Sequence, residues 1–231
     1  MRGTRFLVLA GMTTLVLAAC APPPTEPTTP WVKVVYARPT DRPYRADFAA
    51  AVDDAMNQAQ SWYRTQLDGR SFVREPSGVV SCTLPHDDAY YRTQTWDRLQ
   101  NDLQPCAPVG FAGADVDWVV YADVVGACGT GRIGAGGLGL TMMPRADLQG
   151  LVGEPQLDSC GTVDNRPPTR WVGGLIHEMG HSFGLPHPAG CDQGLPTCDT
   201  RSVMWSGYAA FPDTYFNAAE RAQLVQSTFI R

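Results

Sequence analysis

The chain has 231 residues, of which 44% are hydrophobic and 18% are charged, and its formal net charge is -5 at pH 7. An acidic chain is a poor partner for a phosphate backbone, so we expect no nucleic-acid function. Residues 31–231 are long enough for one medium domain with its own core, and no second domain is needed.

The first thirty residues carry targeting signals rather than fold. Residues 1–20 have Arg2 and Arg5 near their start, followed by an apolar core over 6–17 that is too short to span a bilayer. They end at 17–20 in the sequence LAAC. That end resembles the bacterial lipobox, in which Cys20 becomes lipidated; the alternative is an ordinary secretory signal that contains a cysteine. Residues 21–30 are rich in proline and threonine and predict a tether. We therefore expect export and a lipid anchor in the bacterial cell envelope, or else secretion.

The N-terminal half of the domain predicts alternating strands and helices. β-Branched and aromatic residues at 31–36 predict the first strand. Apolar residues at three- and four-residue spacing predict a long helix over 45–67. A short strand is predicted over 71–75, a second helix over 90–103, and a strand over 117–125.

Cysteines provide the next constraint. The chain has seven; without Cys20 six remain, an even number that predicts three disulfides among fifteen pairings in an exported protein. The alternative is that some remain free buried thiols. The pair predicted first is Cys191 with Cys198, which lie in a turn-rich loop. The remaining four cysteines are paired by their order along the chain. The predicted pairs are Cys191–Cys198, Cys82–Cys106 and Cys128–Cys160. No CxxC spacing is present, so none is expected to bind zinc.

The glycine-dense segment 126–140 does not fit a nucleotide-binding loop, because such loops need a preceding strand, a following helix and, in the P-loop, a lysine. Lys33 is the only lysine in the chain. The alternation at 137–143 predicts an edge strand, with a glycine-rich surface loop as the alternative.

Two helices are predicted in the C-terminal half. One covers 170–183, with Thr169 as a possible N-cap after two prolines. Its interior glycines at 173–174 cost about 1 kcal/mol each relative to alanine, and close packing against the sheet would justify them. The other opens at Asn217 with the spacing of a capping box and ends near residue 227.

Residues 177–187 read HEMGHSFGLPH and contain the most specific functional signal in the chain. In a helix, His177 and His181 lie on one face and can bind one metal ion. Glu178 is displaced around the helix, where its carboxylate can hold a water as a general base. Gly184 can end the helix in a left-handed conformation, so that the chain turns and brings His187 to the ion. Three imidazoles leave a fourth position for water, which is the arrangement of catalytic zinc.

This stretch resembles the metzincin clan of zinc metalloendopeptidases, whose signature H-E-x-x-H-x-x-G-x-x-H it matches at every fixed position. The resemblance implies an α+β fold with a twisted mixed sheet, long helices, an active-site helix and a small C-terminal subdomain. It also implies a methionine turn at 202–205, with Met204 beneath the imidazoles. One catalytic Zn²⁺ and a protein or peptide substrate follow from the same resemblance. No subfamily is assigned.

Further site residues are implied by that resemblance. Several metzincins have a tyrosine two residues after the methionine, where this chain has Ser206; Tyr208 is the candidate for a transition-state or pocket role, with Trp205 beside it. The segment 205–213 is expected to border the pocket for the residue that follows the scissile bond. The strand before the active-site helix is expected to pair with extended substrate. The residues proposed for that pairing are Gly137, Leu138, Gly139 and Leu140.

Three readings of the site remain open. The first is a zinc endopeptidase, expected to be a monomer. The second is a catalytically inactive surface module that binds metal or peptide, and the third is a zinc hydrolase that acts on a non-protein amide. His86, the one histidine outside the motif, is predicted to be a solvated polar residue.

Overall fold

The computed structural model describes residues 30–107, 115–126, 134–157, 163–164 and 167–231. Cys20, the lipobox and the cysteines of the predicted pair Cys128–Cys160 lie outside the described residues, so the anchor and that disulfide stay predictions. Among the described helices, none is both long and apolar enough to cross a membrane.

The fold is α+β, as predicted. In chain order its elements are β1 Trp31–Arg38, α1 Ala46–Gln66, β2 Arg74–Thr83, α2 Asp88–Tyr91, α3 Thr95–Leu103, β3 Val116–Ala122, β4 Ala135–Gly137, β5 Leu140–Met143, α4 Arg145–Leu151, β6 Gln156–Leu157, β7 Val163–Asp164, α5 Pro168–Ser182, a 3₁₀ helix Ser206–Ala210 and α6 Ala218–Leu224. The predicted first strand and first long helix are both present.

The main sheet has five strands in the order β2-β1-β3-β5-β4. The first four strands run parallel, and β4 pairs antiparallel with β5 at the edge. Alternate side chains of β1 enter two separate cores: Val34 joins the core beneath α1 and α5, and Val35 joins the core beneath α2 and α3. The sheet is therefore covered by helices on both faces, as parallel strands require.

The predicted edge strand over 137–143 is wrong in its position. The edge strand is β4, and Leu140 lies in β5, a buried interior strand between β3 and β4. The chain reverses at Leu138 and Gly139, where Gly139 has a φ of 79°. The alternating letters therefore belong to a hairpin turn and its second strand, which a period-two pattern alone does not separate.

Two other predicted elements have different bounds. The strand predicted over 71–75 is β2, which begins at Arg74 and continues to Thr83. It is an edge strand with a single buried residue, Cys82, so it lacks an apolar run, and an edge position tolerates Pro76. The helix predicted over 90–103 is divided into α2 and α3, because Gln94 adopts a left-handed conformation with a φ of 51°.

The helix that carries the HEMGH sequence is α5, which is buried along most of its length. It begins at Pro168, with Pro167 as its N-cap and no side-chain cap. The predicted cap, Thr169, lies inside the first turn instead. Proline at the first helical position needs no hydrogen-bond acceptor and has a suitable φ, so the prolines start the helix themselves.

Glycines allow α5 to approach its neighbours closely. A Cβ at Gly173 would overlap the carbonyl oxygen of Tyr208, in the 3₁₀ helix. A Cβ at Gly180 would overlap the sulfur of Met204. The close packing expected at Gly173 is thus present, but its partner is the 3₁₀ helix and not the sheet.

A buried carboxyl group joins β3 to the end of α5. Asp117 is 0% exposed, its Oδ2 lies 2.9 Å from the Oγ of Ser182, and its Oδ1 has no hydrogen-bond partner among the described residues. Burial raises the pKa of Asp117 from 3.8 to about 8. The folded protein therefore favours the protonated carboxyl group.

This pKa predicts how stability changes with pH. Between pH 3.8 and about 8 the folded state binds a proton at Asp117 that the unfolded state does not. The free energy of unfolding should therefore fall as pH rises through this range, by on the order of 1 kcal/mol per pH unit from this group. The variant Asp117→Asn should show a shallower fall in urea unfolding with a chelator present. Equal slopes in the two proteins would contradict the assignment.

Candidate metal centre

One turn of α5 brings the first two histidines together. His177 and His181 are separated by one helical turn, and their ring centroids lie 4.8 Å apart. Their Nε2 atoms are 3.2 Å apart. Helix geometry alone therefore directs both nitrogens to one point.

The glycine reversal brings the third histidine to the same point. Gly184 has a φ of 98°, and the N–H of Leu185 donates to the carbonyl oxygen of Gly180 as the helix ends. The ring of His187 then lies 4.8 Å from that of His181, centroid to centroid. One ligand atom from each of the three histidines lies within 4.8 Å of the other two.

Hydrogen bonds fix the tautomer of every ring. The Nδ1–H of His177 donates to the carbonyl oxygen of Val203 at 2.8 Å, and that of His181 to the carbonyl oxygen of Leu185 at 2.7 Å. Nδ1 of His187 lies 2.7 Å from a carboxylate oxygen of Asp192, which can only accept. In the neutral form of each ring, the lone pair that can bind a metal ion is then on Nε2.

Electrostatics favour the same neutral state. Burial, together with the neighbouring His181, lowers the pKa of His177 from 6.5 to about 3. Burial also lowers the pKa of His181. Neutral imidazoles are the form that binds metal ions, so the chemistry of this donor set fits a metal.

Asp192 is the site residue that sequence reasoning missed. It lies beside Cys191 in the loop closed by the predicted Cys191–Cys198 disulfide, which is present. The other described pair, Cys82–Cys106, is also confirmed. A carboxylate five residues after the third histidine is a weak sequence signal, because this spacing does not show that the loop turns back toward the imidazole.

Asp192 is expected to hold His187 in its ligating orientation. Asp192→Asn should lower the affinity for zinc by about 10- to 100-fold, because the carboxylate fixes the tautomer and raises the basicity of the ring. Titration against a competing chelator measures this affinity. The same exchange at Asp54, which is exposed on α1, is the control; an equal loss of affinity in both variants would contradict the role of Asp192.

The predicted methionine turn lies directly under the cluster. Met204 is 0% exposed and contacts Gly180 in the middle of the motif. Its backbone N–H donates to the Oγ of Ser202, which in turn donates to the carboxylate of Glu220 at 2.7 Å. Glu220 also completes the predicted capping box with Asn217. The turn beneath the histidines is thereby connected to the start of α6.

Glu178 lies on the side of α5 that packs against the edge strand β4. An ideal Cβ at Gly134 would lie 3.2 Å from its Oε1, and one at Gly136 would overlap its carbonyl oxygen. Burial, and secondly the charge of Asp147, raise the pKa of Glu178 from 4.5 to about 7, while the backbone of Gly136 and the charge of Arg170 act in the opposite direction. A carboxyl group with such a pKa can both accept and return a proton near neutral pH.

The two aromatic residues predicted beside the site contact the histidines. The ring centroids of Tyr208 and His177 lie 5.3 Å apart, and those of Trp205 and His187 lie 4.9 Å apart. Both therefore border the cluster, on the C-terminal side of the methionine. Whether Tyr208 acts on a substrate stays a prediction.

The four residues predicted for substrate pairing are divided by the structure. Gly137 is the last residue of the edge strand, Leu138 and Gly139 form the turn, and Leu140 is buried. Leu138 is 52% exposed and lies near Gly184. Among the described residues, no strand pairs with the other side of β4, and its three residues are partly exposed.

His86 lies away from the cluster. Its side chain is 47% exposed, and its nearest charged atom is an oxygen of Asp102 at 3.9 Å. Its ring stacks near that of Tyr90. This arrangement agrees with the predicted solvated polar residue.

Comparison with known proteins supports the fold. No model of a known protein family matches the sequence, and no curated protein matches it. A structure of catalytically inactive OgpA from Akkermansia muciniphila with an O-glycopeptide substrate has a TM-score of 0.57 and 17% identity, covering 88% of this chain and 62% of OgpA. Wild-type OgpA gives a TM-score of 0.54 at 18% identity, with the same coverage of 88% and 62%.

A third structure, archaemetzincin from Methanopyrus kandleri, has a TM-score of 0.47 and 15% identity, covering 86% of this chain and 96% of that one. With 62% of OgpA covered, the chain spans less than two thirds of the length of OgpA. The likeness to OgpA shows that this chain and part of OgpA share an α+β fold.

Proposed function

We propose that the protein is a zinc-dependent endopeptidase. One observation carries this proposal: three imidazoles converge, with a ligand atom of each within 4.8 Å of the others, while every Nδ1 faces an acceptor. Three neutral nitrogens are the ligand set of catalytic zinc, which leaves a position open. His177, His181 and His187 would hold the ion.

Bound zinc would supply a water of lowered pKa and would polarise a peptide carbonyl. Glu178 would act as the general base that takes the proton from this water and then as the acid that returns it to the leaving amine. The pKa of about 7 for its buried carboxyl group suits both roles. The free side of β4 would align an extended peptide by backbone hydrogen bonds.

The proposal is tested with a mixed peptide library. Cleavage that a chelator or a hydroxamate blocks, and that zinc restores, is the expected result. Full zinc occupancy without any cut peptide would overturn the endopeptidase and favour a non-protein amide or an inactive binding module. O-glycosylated peptides belong in the library, because the OgpA structure contains an O-glycopeptide substrate.

A further inference from the structure

A buried arginine lies on the face of α5 that carries Glu178. Arg170, Gly174 and Glu178 are spaced by four residues, so they lie along one side of the helix. Gly174 has no side chain, and the guanidinium of Arg170 occupies the space above it: an ideal Cβ at Gly174 would be 2.8 Å from Nη1. The arginine thus points along the helix toward the proposed general base.

This guanidinium is buried but has few polar partners. Arg170 is 9% exposed, and its Nε is fully enclosed with no hydrogen-bond partner in the part of the chain that the structure describes. Its nearest carboxylate oxygen, Oδ1 of Asp147, lies 3.9 Å from Nη1, which is beyond hydrogen-bond length. Burying N–H donors without acceptors is costly, so such an arginine indicates a missing partner.

Aromatic rings cover the faces of the guanidinium. Its central carbon lies 4.2 Å from the ring centroid of Trp171 and 4.8 Å from that of Tyr208. Stacking of this kind holds the planar group in one orientation and leaves its N–H edge for hydrogen bonding. Because Nε is enclosed, an incoming acceptor can meet the guanidinium only at the edge formed by Nη1 and Nη2.

The arginine is close to the metal centre. The ring of Tyr208 that contacts Arg170 also contacts the ring of His177. Tyr208 lies in the segment expected to border the pocket for the residue after the scissile bond, so Arg170 packs against that segment.

We propose that Arg170 selects substrates that place a carboxylate in this pocket, at the residue following the scissile bond. A carboxylate is the acceptor that matches the two parallel N–H groups of a guanidinium edge. The carboxylate can come from an aspartate or glutamate side chain, or from an acidic sugar on an O-linked glycan. This inference rests on the proposed endopeptidase function.

Matched peptides test the proposal. The first pair consists of two peptides that are cleaved only with zinc and that differ in having glutamate or glutamine after the scissile bond. The second pair carries an O-linked glycan with or without its acidic sugar. The wild type should cleave the carboxylate member about 10- to 100-fold more efficiently in kcat/KM, the range expected for a charged hydrogen bond. In Arg170→Gln this preference should disappear, with the loss mainly in KM for the carboxylate member of each pair.

Two further variants control for folding and for charge in general. Arg64→Gln makes the same exchange at an exposed arginine on α1 and should keep the full preference. Arg170→Lys keeps the charge without the planar fork and should keep only part of it. If Arg170→Gln does not fold, the comparison of glutamate with glutamine peptides in the wild type still decides the question.

Binding separates failure of this inference from failure of the function. Fluorescence anisotropy of the same labelled peptides is measured with zinc-loaded Glu178→Ala, which needs no turnover. Cleavage without a carboxylate preference would overturn the role of Arg170 and leave the endopeptidase in place. Absence of cleavage with a carboxylate preference in binding would overturn the endopeptidase and support the pocket. Neither cleavage nor preference would overturn both.

Discussion

Replacement of Glu178 with alanine is expected to lower kcat by about 10²- to 10⁴-fold while one zinc ion stays bound, because general-base catalysis contributes a factor of this size. The carboxyl group is absent from the set of three ligating histidines, so its loss should leave the metal affinity nearly intact. Peptide cleavage and zinc content of the purified variant are the two measurements.

The control is Glu75→Ala, on β2 at the opposite edge of the sheet from β4. It should cleave peptides at the wild-type rate. An undiminished rate in Glu178→Ala would contradict the assigned base, and loss of zinc from that variant would show that Glu178 supports the metal centre instead.

Zinc is expected to stabilise the fold strongly through the three histidines. A ligand that binds only the folded state at about a thousand times its Kd adds about 4 kcal/mol to the free energy of unfolding. For a chain of this length the melting temperature should rise by on the order of 10 °C over the chelated protein. In His181→Ala this response and the peptidase activity should both be lost, because only two ligands remain.

His86→Ala is the matched control, since His86 lies outside the cluster and is 47% exposed. It should show the wild-type response to zinc in a thermal melt. A His181→Ala protein that is stabilised by zinc as much as the wild type would mean that the ion binds elsewhere, and the proposed centre would fail with it.

The cluster of three histidines could be predicted from the sequence because its geometry is local. One helical turn places His177 and His181, and one glycine with a positive φ returns His187, so eleven consecutive residues contain most of the information. The same holds for the capping box at Asn217, whose partners are three residues apart. Local geometry of this kind depends little on the rest of the chain.

The parts that could not be predicted depend on contacts distant in sequence. Asp192 contacts His187 from a loop that a disulfide closes. The side chain of Arg170 is placed by the space above Gly174 and by Tyr208 of the 3₁₀ helix. The edge strand was misplaced because a hairpin turn at Leu138 and Gly139 produces the same alternation of residues as a continuous strand. In each case tertiary placement decided between local patterns that look alike.

The contact between Gly180 and Met204 imposes a constraint on how such sequences can diverge. The sulfur of Met204 occupies the space that any side chain at position 180 would need. Position 180, the second variable position of the histidine motif, is consequently not free to change: a larger residue there requires a shorter one at 204. Homologous chains should therefore show these two positions changing as a pair, a covariation created by packing rather than by catalysis.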